Sequence, residues 1–372
     1  MMERRLWLAL ALTPGLGAVG IRRLCEAFGG VRQVFAAGKA LLAESNCLRR
    51  DALAALADRR DHLLAAADAE MRRAEQAEVT LLCPADPDYP PLLAAIPDPP
   101  PVLYVRGEVA LLARPGVAVV GARAATTYGL RVAERLSSEL ARAGLSIISG
   151  FALGIDSAAH RGALTAGGPT VAVMGCGLDV DYPSQNRALR EGILTGGGVL
   201  VSESPMGALP EGYRFPARNR IVSGLALGVL VVEAARRSGT LITARQALEQ
   251  GRDVFAVPGR IDSAKSEGCH RLVQEGAKLV HCAADVFDEL GFGAAALAAT
   301  SPRGDDQAAM AALSEEERRL LACLDVYPRS VEEIVEASGL SAQRTSELLL
   351  HLEMAGLAAA LPGGQYQRFS GV

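Results

Sequence analysis

At 372 residues the chain is longer than one ordinary core and predicts two or three domains. With 50% apolar and 22% charged residues it is not a disordered chain, and a formal charge of −4 gives no global attraction for a polyanion. Any nucleic-acid site therefore has to come from local clustering of basic side chains.

The N-terminus begins like an export signal, with Arg4 and Arg5 ahead of the apolar Leu6 to Leu12. Pro14, Gly15 and Gly17 cut that run short, and Arg22 and Arg23 stand where a cleavage site would be wanted, so the segment reads as cytoplasmic. The 7 cysteines are scattered without a Cys-x-x-Cys spacing, which fits reduced thiols in the same compartment. No apolar run is long enough to span a bilayer. Residues 1–78 predict a helical domain, Ala- and Leu-rich and periodic. Within it, Thr13-Pro14-Gly15-Leu16-Gly17 precedes the amphipathic Ile21 to Phe28. Such a Gly-x-Gly turn presents backbone N–H groups, as helix-hairpin-helix modules do to a phosphate. A tight turn that packs one helix on the next is the plainer reading.

Over residues 79–290 short apolar runs alternate with helical stretches: Val117 to Val120, Ser146 to Ile148, Thr170 to Met174, Val199 to Val201, Val229 to Val232 and Val254 to Val257. Runs without polar alternation predict strands covered on both faces, hence a parallel sheet with crossover helices. Gly129, Ala133, Leu136 and Leu140 share one face of such a helix. The expected fold is α/β, an extended Rossmann-like doubly wound sheet. Residues 291–312, rich in Ala and Gly, read as a linker. In 313–372, Ser314 with Glu317 and Ser330 with Glu333 are capping boxes that open helices. A third helix after Ser341 and a hairpin made by Leu357 to Leu361 and Tyr366 to Phe369 complete a winged-helix domain. Its third helix carries Arg344 among Glu347, His351 and Glu353, so contact with a protein suits it at least as well as duplex reading.

Ligands of doubly wound sheets bind outside the carboxyl ends of the strands. The segments there are Gly121-Ala122-Arg123, Ser149-Gly150 through Gly154 to Asp156, Gly175-Cys176-Gly177, Ser202 to Pro205, Glu233 to Ser238-Gly239-Thr240, and Pro258-Gly259-Arg260. Glycines, small hydroxyls and helix N-termini in such places suit phosphate. Neither a Gly-x-Gly-x-x-Gly after the first strand nor a Walker A sequence is present. Arginines recur instead: Arg123, Arg187, Arg214, Arg218, Arg220, Arg236, Arg237 and Arg260. A lone arginine usually pairs with a surface carboxylate. Phe215-Pro-Ala-Arg218-Asn219-Arg220 is different, because two arginines and an asparagine beside an aromatic offer phosphate forks and a stacking surface.

In this order, the stretch from Val117 to Leu279 resembles the DNA-processing protein A (DprA/Smf) family. The resemblance rests on Gly121-Ala-Arg123, Ser149-Gly-x-Ala-x-Gly-Ile-Asp156 with His160, and Gly175-Cys-Gly-Leu-Asp179 with Tyr182-Pro183. It continues through Phe215-Pro-Ala-Arg-Asn-Arg220, Glu233 with Ser238-Gly-Thr-Leu-Ile-Thr-Ala244, and Val257-Pro-Gly259. It implies an N-terminal helical domain of SAM or helix-hairpin-helix type. It further implies a cytoplasmic homodimer that binds single-stranded DNA without sequence preference, shields incoming DNA and helps load the RecA recombinase in natural transformation. The residues it implies for phosphate are Gly121, Arg123, Ser149, Gly150, Gly154, Arg218, Asn219, Arg220, Ser238, Gly239 and Thr240, with Arg187 and Phe215 beside them. Ala122 replaces the family's usual serine, and Ala217 stands where a third basic residue is common.

No cofactor, metal or catalytic group is expected. Asp156 and His160 lie four apart, but an N-cap aspartate needs no catalytic role and no nucleophile matches the spacing. Cys269-His270 and His281-Cys282 lack the spacing of a zinc module. Lysine-decarboxylase-like phosphoribohydrolases share this type of domain and carry Gly-Gly-x-Gly-Thr-x-x-Glu; here Thr243 takes the glutamate's place, removing the carboxylate that would stabilise an oxocarbenium-like transition state. A winged-helix transcriptional regulator is the third reading, weakened by the acidic surface of that domain.

Overall fold

The computed structural model describes residues 2–292, 313–325, 328–355, 357–361 and 363–368. Most of the expected linker, and Phe369 of the expected hairpin, lie outside them.

Six helices come first: α1 (Met2–Ala11), α2 (Ala18–Phe28), α3 (Val31–Ala36), α4 (Lys39–Glu44), α5 (Arg50–Asp58) and α6 (Arg60–Gln76). Strands β1 (Thr80–Leu82), β2 (Leu103–Gly107), β3 (Gly116–Val120), β4 (Ser146–Ser149), β5 (Thr170–Met174), β6 (Val199–Ser202), β7 (Gly228–Val231), β8 (Asp253–Ala256) and β9 (Lys278–Leu279) make one sheet in the order β1-β2-β6-β5-β4-β3-β7-β8-β9. β1 and β2 run antiparallel at one edge, and every pair from β6 to β9 is parallel. The chain starts its parallel sheet in the middle. Val117 of β3 pairs with Ile147 of β4 on one side and Gly228 of β7 on the other. That central strand is the topological switch point, where a doubly wound sheet opens a crevice at its carboxyl end.

Burial explains the uninterrupted apolar runs. Along β3, Val117 and Val119 pack with Val132, Leu136 and Leu140 of α8 (Thr127–Arg142) and Ile155 and Ala159 of α9 (Ile155–Thr165). Ala118 and Val120 face the other way, toward Ile221 and Val222 of α11 (Arg214–Gly224) and Ala244 and Ala247 of α12 (Thr240–Glu249). Each fully buried aliphatic side chain of this kind contributes about 1.5–3 kcal/mol. The N-terminal helices extend the α8–α9 layer. Leu56 and Leu63 share a cluster with Tyr104, Ala172, Met174 and Leu200, the residues of β2, β5 and β6 that face away from α11. The buried Glu70 of α6 accepts a 2.6 Å hydrogen bond from the Met206 N–H. Apolar Leu8 and Leu10 of α1 are fully buried in this cluster, while Arg4 and Arg5 pair with Asp86 and Asp68.

The C-terminal unit has helices Glu315–Cys323, Val331–Ser338 and Ala342–Met354, and strands Ala358–Leu361 and Gln365–Arg368. Both expected capping boxes form, Ser314 with Glu317 and Ser330 with Glu333. Leu320, Ile334, Leu349 and Leu352 close a core of its own. Among the described residues no helix is long and apolar enough to cross a membrane.

Candidate nucleic-acid interface

A cleft of about 540 Å³ lies at the carboxyl end of β3, between the loops after β3, β4 and β7 and the start of α11. Gly121, Arg123, Gly150, Phe215, Arg218, Asn219, Ser238, Gly239 and Thr240 all line it. Residues far apart in sequence meet here because β3, β4 and β7 are neighbours in the sheet while α11 crosses from β6 to β7.

Phe215 anchors the mouth. Its ring lies 5.7 Å from that of Tyr182, and the Arg123 guanidinium carbon is 5.3 Å from its centroid. Gly175 lets the ring in, since a Cβ there would meet Phe215 at 2.9 Å. Arg123 is exposed and forms no ion pair among the described residues, so its charge is open to a ligand. Opposite it, the Ser238 hydroxyl accepts the Thr240 N–H at 3.2 Å, shaping the turn into α12, whose first turn carries no acidic residue. An uncompensated helix start of this kind favours an anion.

Arg218 forms the floor. It is only 6% exposed, and its Nη1 donates to the carbonyls of Gly150 and Val173. Burial pushes its pKa down to about 10, against the pull of Asp156, so it stays charged at neutral pH. Asp156 itself is pushed up by burial, with the Arg218 charge and the Ala152 N–H opposing that shift. Both groups crowd against Gly150, where a Cβ would sit 2.6 Å from Arg218 Nη2 and 2.8 Å from Asp156 Oδ2. The glycine is required there by contact, not by backbone angle.

Four expected residues stand elsewhere. Arg220 is tied by Nε to Asp98 (2.9 Å) and by Nη2 to Glu203 (2.6 Å), buried on the far side of α11. The expectation that it grips phosphate beside Arg218 is therefore corrected: consecutive even positions on a helix point apart, and its charge is already matched by two carboxylates. Arg187 is exposed and paired with Asp181. The Ser149 hydroxyl is spent on the Val119 carbonyl (2.6 Å), inside the sheet. Gly154 supports the site from behind: at φ +81° it lets α9 begin against the Ala122 and Arg123 carbonyls, which a Cβ would strike at 2.3 and 2.4 Å.

Several supports had no role assigned from sequence, although Glu233 and His160 were among the residues that carry the resemblance. Glu233 is buried and accepts the Thr126 N–H at 2.9 Å, capping α8. Asn186 donates to the Phe151 carbonyl (3.0 Å) and accepts from Ser157 (3.1 Å), holding the β4 loop where Phe151 has φ +58°. Asparagine in Pro183-Ser-Gln-Asn186 gave no signal of its own. His160 faces the interior, with Nδ1 2.8 Å from Thr170 Oγ1, and does not line the cleft. Its pKa is pushed down to about 3 by burial. His281, Cys282 and Asp285 place donor atoms within 4.8 Å of one another, but the Asp285 carboxylate already accepts the His281 and Cys282 N–H groups as a helix cap.

Residues 80–291 match the family model of DNA recombination-mediator protein A, and residues 304–364 that of the DprA winged helix domain. Protein Smf of Synechocystis is 35% identical over 98% of this chain and 99% of its own length. Protein Smf of Escherichia coli is 45% identical over 70% of each. The X-ray structure of DNA processing protein A from Streptococcus pneumoniae matches with a TM-score of 0.65 at 38% identity, covering 78% of this chain and 97% of that one. A Helicobacter pylori DNA processing protein A, described for its single-stranded DNA binding mode, matches at 0.51 and 31%, covering 57% and 95%.

Proposed function

Because the chain belongs to the DNA recombination-mediator protein A (DprA/Smf) family, we propose that it binds single-stranded DNA without sequence preference across the carboxyl ends of β3, β4 and β7. The observation that carries this reading is Arg123, without an ion pair among the described residues, lying on Phe215 at the mouth of the cleft. A cation able to meet phosphate and an aromatic side chain able to stack a base are the two elements of sequence-tolerant strand binding. Asn219, Ser238 to Thr240 and the α12 N-terminus add donors, and Arg218 supplies fixed positive charge beneath. The strand binding described for the Helicobacter pylori relative supports the same role.

In the wider role the protein is a cytoplasmic homodimer that shields incoming DNA and helps load RecA during natural transformation. The acidic winged-helix surface suits a protein contact in that process: Arg344, its third-helix arginine, is held by Glu316 (2.7 Å) and Glu347 (2.9 Å) and so is not offered to a duplex. A hydrolytic role has less support. Among the described residues the one carboxylate lining the cleft is Asp156, buried against Arg218, and Thr243 is buried where a phosphoribohydrolase would hold its glutamate. The test is competition between single-stranded and duplex DNA of equal length for a labelled oligo-dT. Preference for the single strand is expected, and equal or stronger duplex binding would contradict the reading.

A further inference from the structure

The cleft at the strand ends does not stop there. Arg123, Gly150, Phe215 and Arg218 also line a narrow recess of about 100 Å³ beside it. Through Met174, Gly175 and Arg218 that recess continues into a larger cleft of about 900 Å³, between the start of α11 and the N-terminal helices. Shared walls set the three clefts side by side, and the largest carries groups that strand binding at the β3 end leaves unused.

From the helical side, Arg23 of α2 and Arg49 at the N-cap of α5 line this cleft. Both are exposed, and neither forms an ion pair among the described residues. From the other side come Tyr213, 66% exposed, and Arg214, whose guanidinium carbon lies 5.1 Å from the Tyr213 ring centroid and whose Nε is paired with Glu211 at 3.0 Å. The Tyr213 ring, unlike the half-buried Phe215, is open to solvent. Among the described residues the cleft's only carboxylates, Asp98 and Glu203, are both taken by Arg220. Buried nitrogens of Arg218 (Nε) and Arg220 (Nη1) lack a partner among the described residues. The Gly15-Leu16-Gly17 turn lines the same wall, and Gly17 leaves the start of α2 without a side-chain cap.

We propose that this cleft is a second segment of the single-stranded DNA track. A strand leaving the β3 end passes Phe215 and Gly175, sets its next phosphates on Arg23 and Arg49, and stacks a base on Tyr213. Arginine forks with an exposed aromatic are the chemistry of a polynucleotide backbone and its bases, not of an acidic peptide, which offers nothing to stack. The inference rests on the reading of the β3 cleft as the first segment.

The test uses the full chain, oligo-dT of about 5 and about 20 nucleotides, and two variants. Arg23→Ala/Arg49→Ala removes two exposed charges that hold nothing in the fold. Its affinity for the long oligonucleotide should drop by about tenfold and its log–log salt slope should become shallower by roughly 1.4, while the short one binds as in wild type. Arg123→Ala should weaken both lengths. An unchanged long-oligonucleotide affinity in the double variant, or equal losses at both lengths, would overturn the second segment. Failure of the wild type to bind either length would instead remove the first reading, and the second with it.

Discussion

The guanidinium carbon of Arg123 lies 5.3 Å from the centroid of the Phe215 ring, joining the loop after β3 to the first turn of α11. The contact brings charge and stacking surface together, and the two can be separated. Phe215→Leu keeps the charge and removes the aromatic face. It should cost about 1–3 kcal/mol in oligo-dT binding with the salt slope unchanged. Arg123→Ala should make the slope shallower by roughly 0.7, the share of one phosphate. A polarisation titration at several salt concentrations checks both, and a Phe215→Leu protein that bound as tightly as wild type would remove the stacking role.

Arg220 is expected to matter for the fold and not for the first phosphates. Its side chain is 8% exposed, whereas Asp98 and Glu203 are 34% and 28% exposed. Truncating one member of a buried pair costs about 3–5 kcal/mol, and partly wet partners reduce that, so Arg220→Ala should lose about 2 kcal/mol. Denaturant unfolding measures this loss. Binding of an oligonucleotide of about 5 residues by the folded variant should be close to wild type.

Gly150→Ala should disturb the floor of the cleft without touching any ligand. The added methyl would collide with the Arg218 guanidinium and the Asp156 carboxylate, both buried, so neither can swing away into solvent. Overpacking of this kind costs about 1–3 kcal/mol. Lower stability and weaker single-strand binding are expected together in thermal melts and titrations. A variant with full stability would mean that the floor is not rigid.

His160 makes stability depend on pH. Thr170 Oγ1 donates to the Ile147 carbonyl at 2.8 Å, so the ring must donate to it through Nδ1–H, and the buried Nε2 has no partner. The imidazole is thus neutral when folded, its pKa pushed down to about 3 by burial. Unfolded, it takes a proton near pH 6.5. A depressed folded pKa stabilises above 6.5, and that stability is lost as pH falls toward 3. Between pH 7 and 5 the loss should be about 2 kcal/mol. His160→Asn keeps a donor toward Thr170 and should lose this part of the pH dependence, as unfolding at both pH values would show.

The sequence made the parallel sheet legible because strands buried on both faces need no polar alternation. Val117 to Val120 and Val229 to Val232 announce themselves that way. The edge strands β1, β2 and β9 gave weaker signals; β1 and β9 span only three and two residues. In the cleft, the loops after β3, β4 and β7 were predictable from topology, because the crevice opens wherever the central strand ends. Which arginine faces the cleft was not. Arg218 and Arg220 look alike in Arg218-Asn219-Arg220, and the carboxylate that claims Arg220 lies 122 positions away at Asp98. Pairing across such a separation is a property of the folded core and leaves no local trace. The same holds for Tyr213 and Arg23, which line one cleft although they lie far apart in the chain.

The most direct test of single-strand binding at the β3 end is the salt dependence of affinity for an oligo-dT of about 6 nucleotides, measured for wild type and Arg123→Ala. With about two phosphates met by Arg123 and Arg218, log K against log salt should fall with a slope of roughly −1.4, and of about −0.7 in the variant. Affinity that ignored salt, or an Arg123→Ala protein indistinguishable from wild type, would contradict the account.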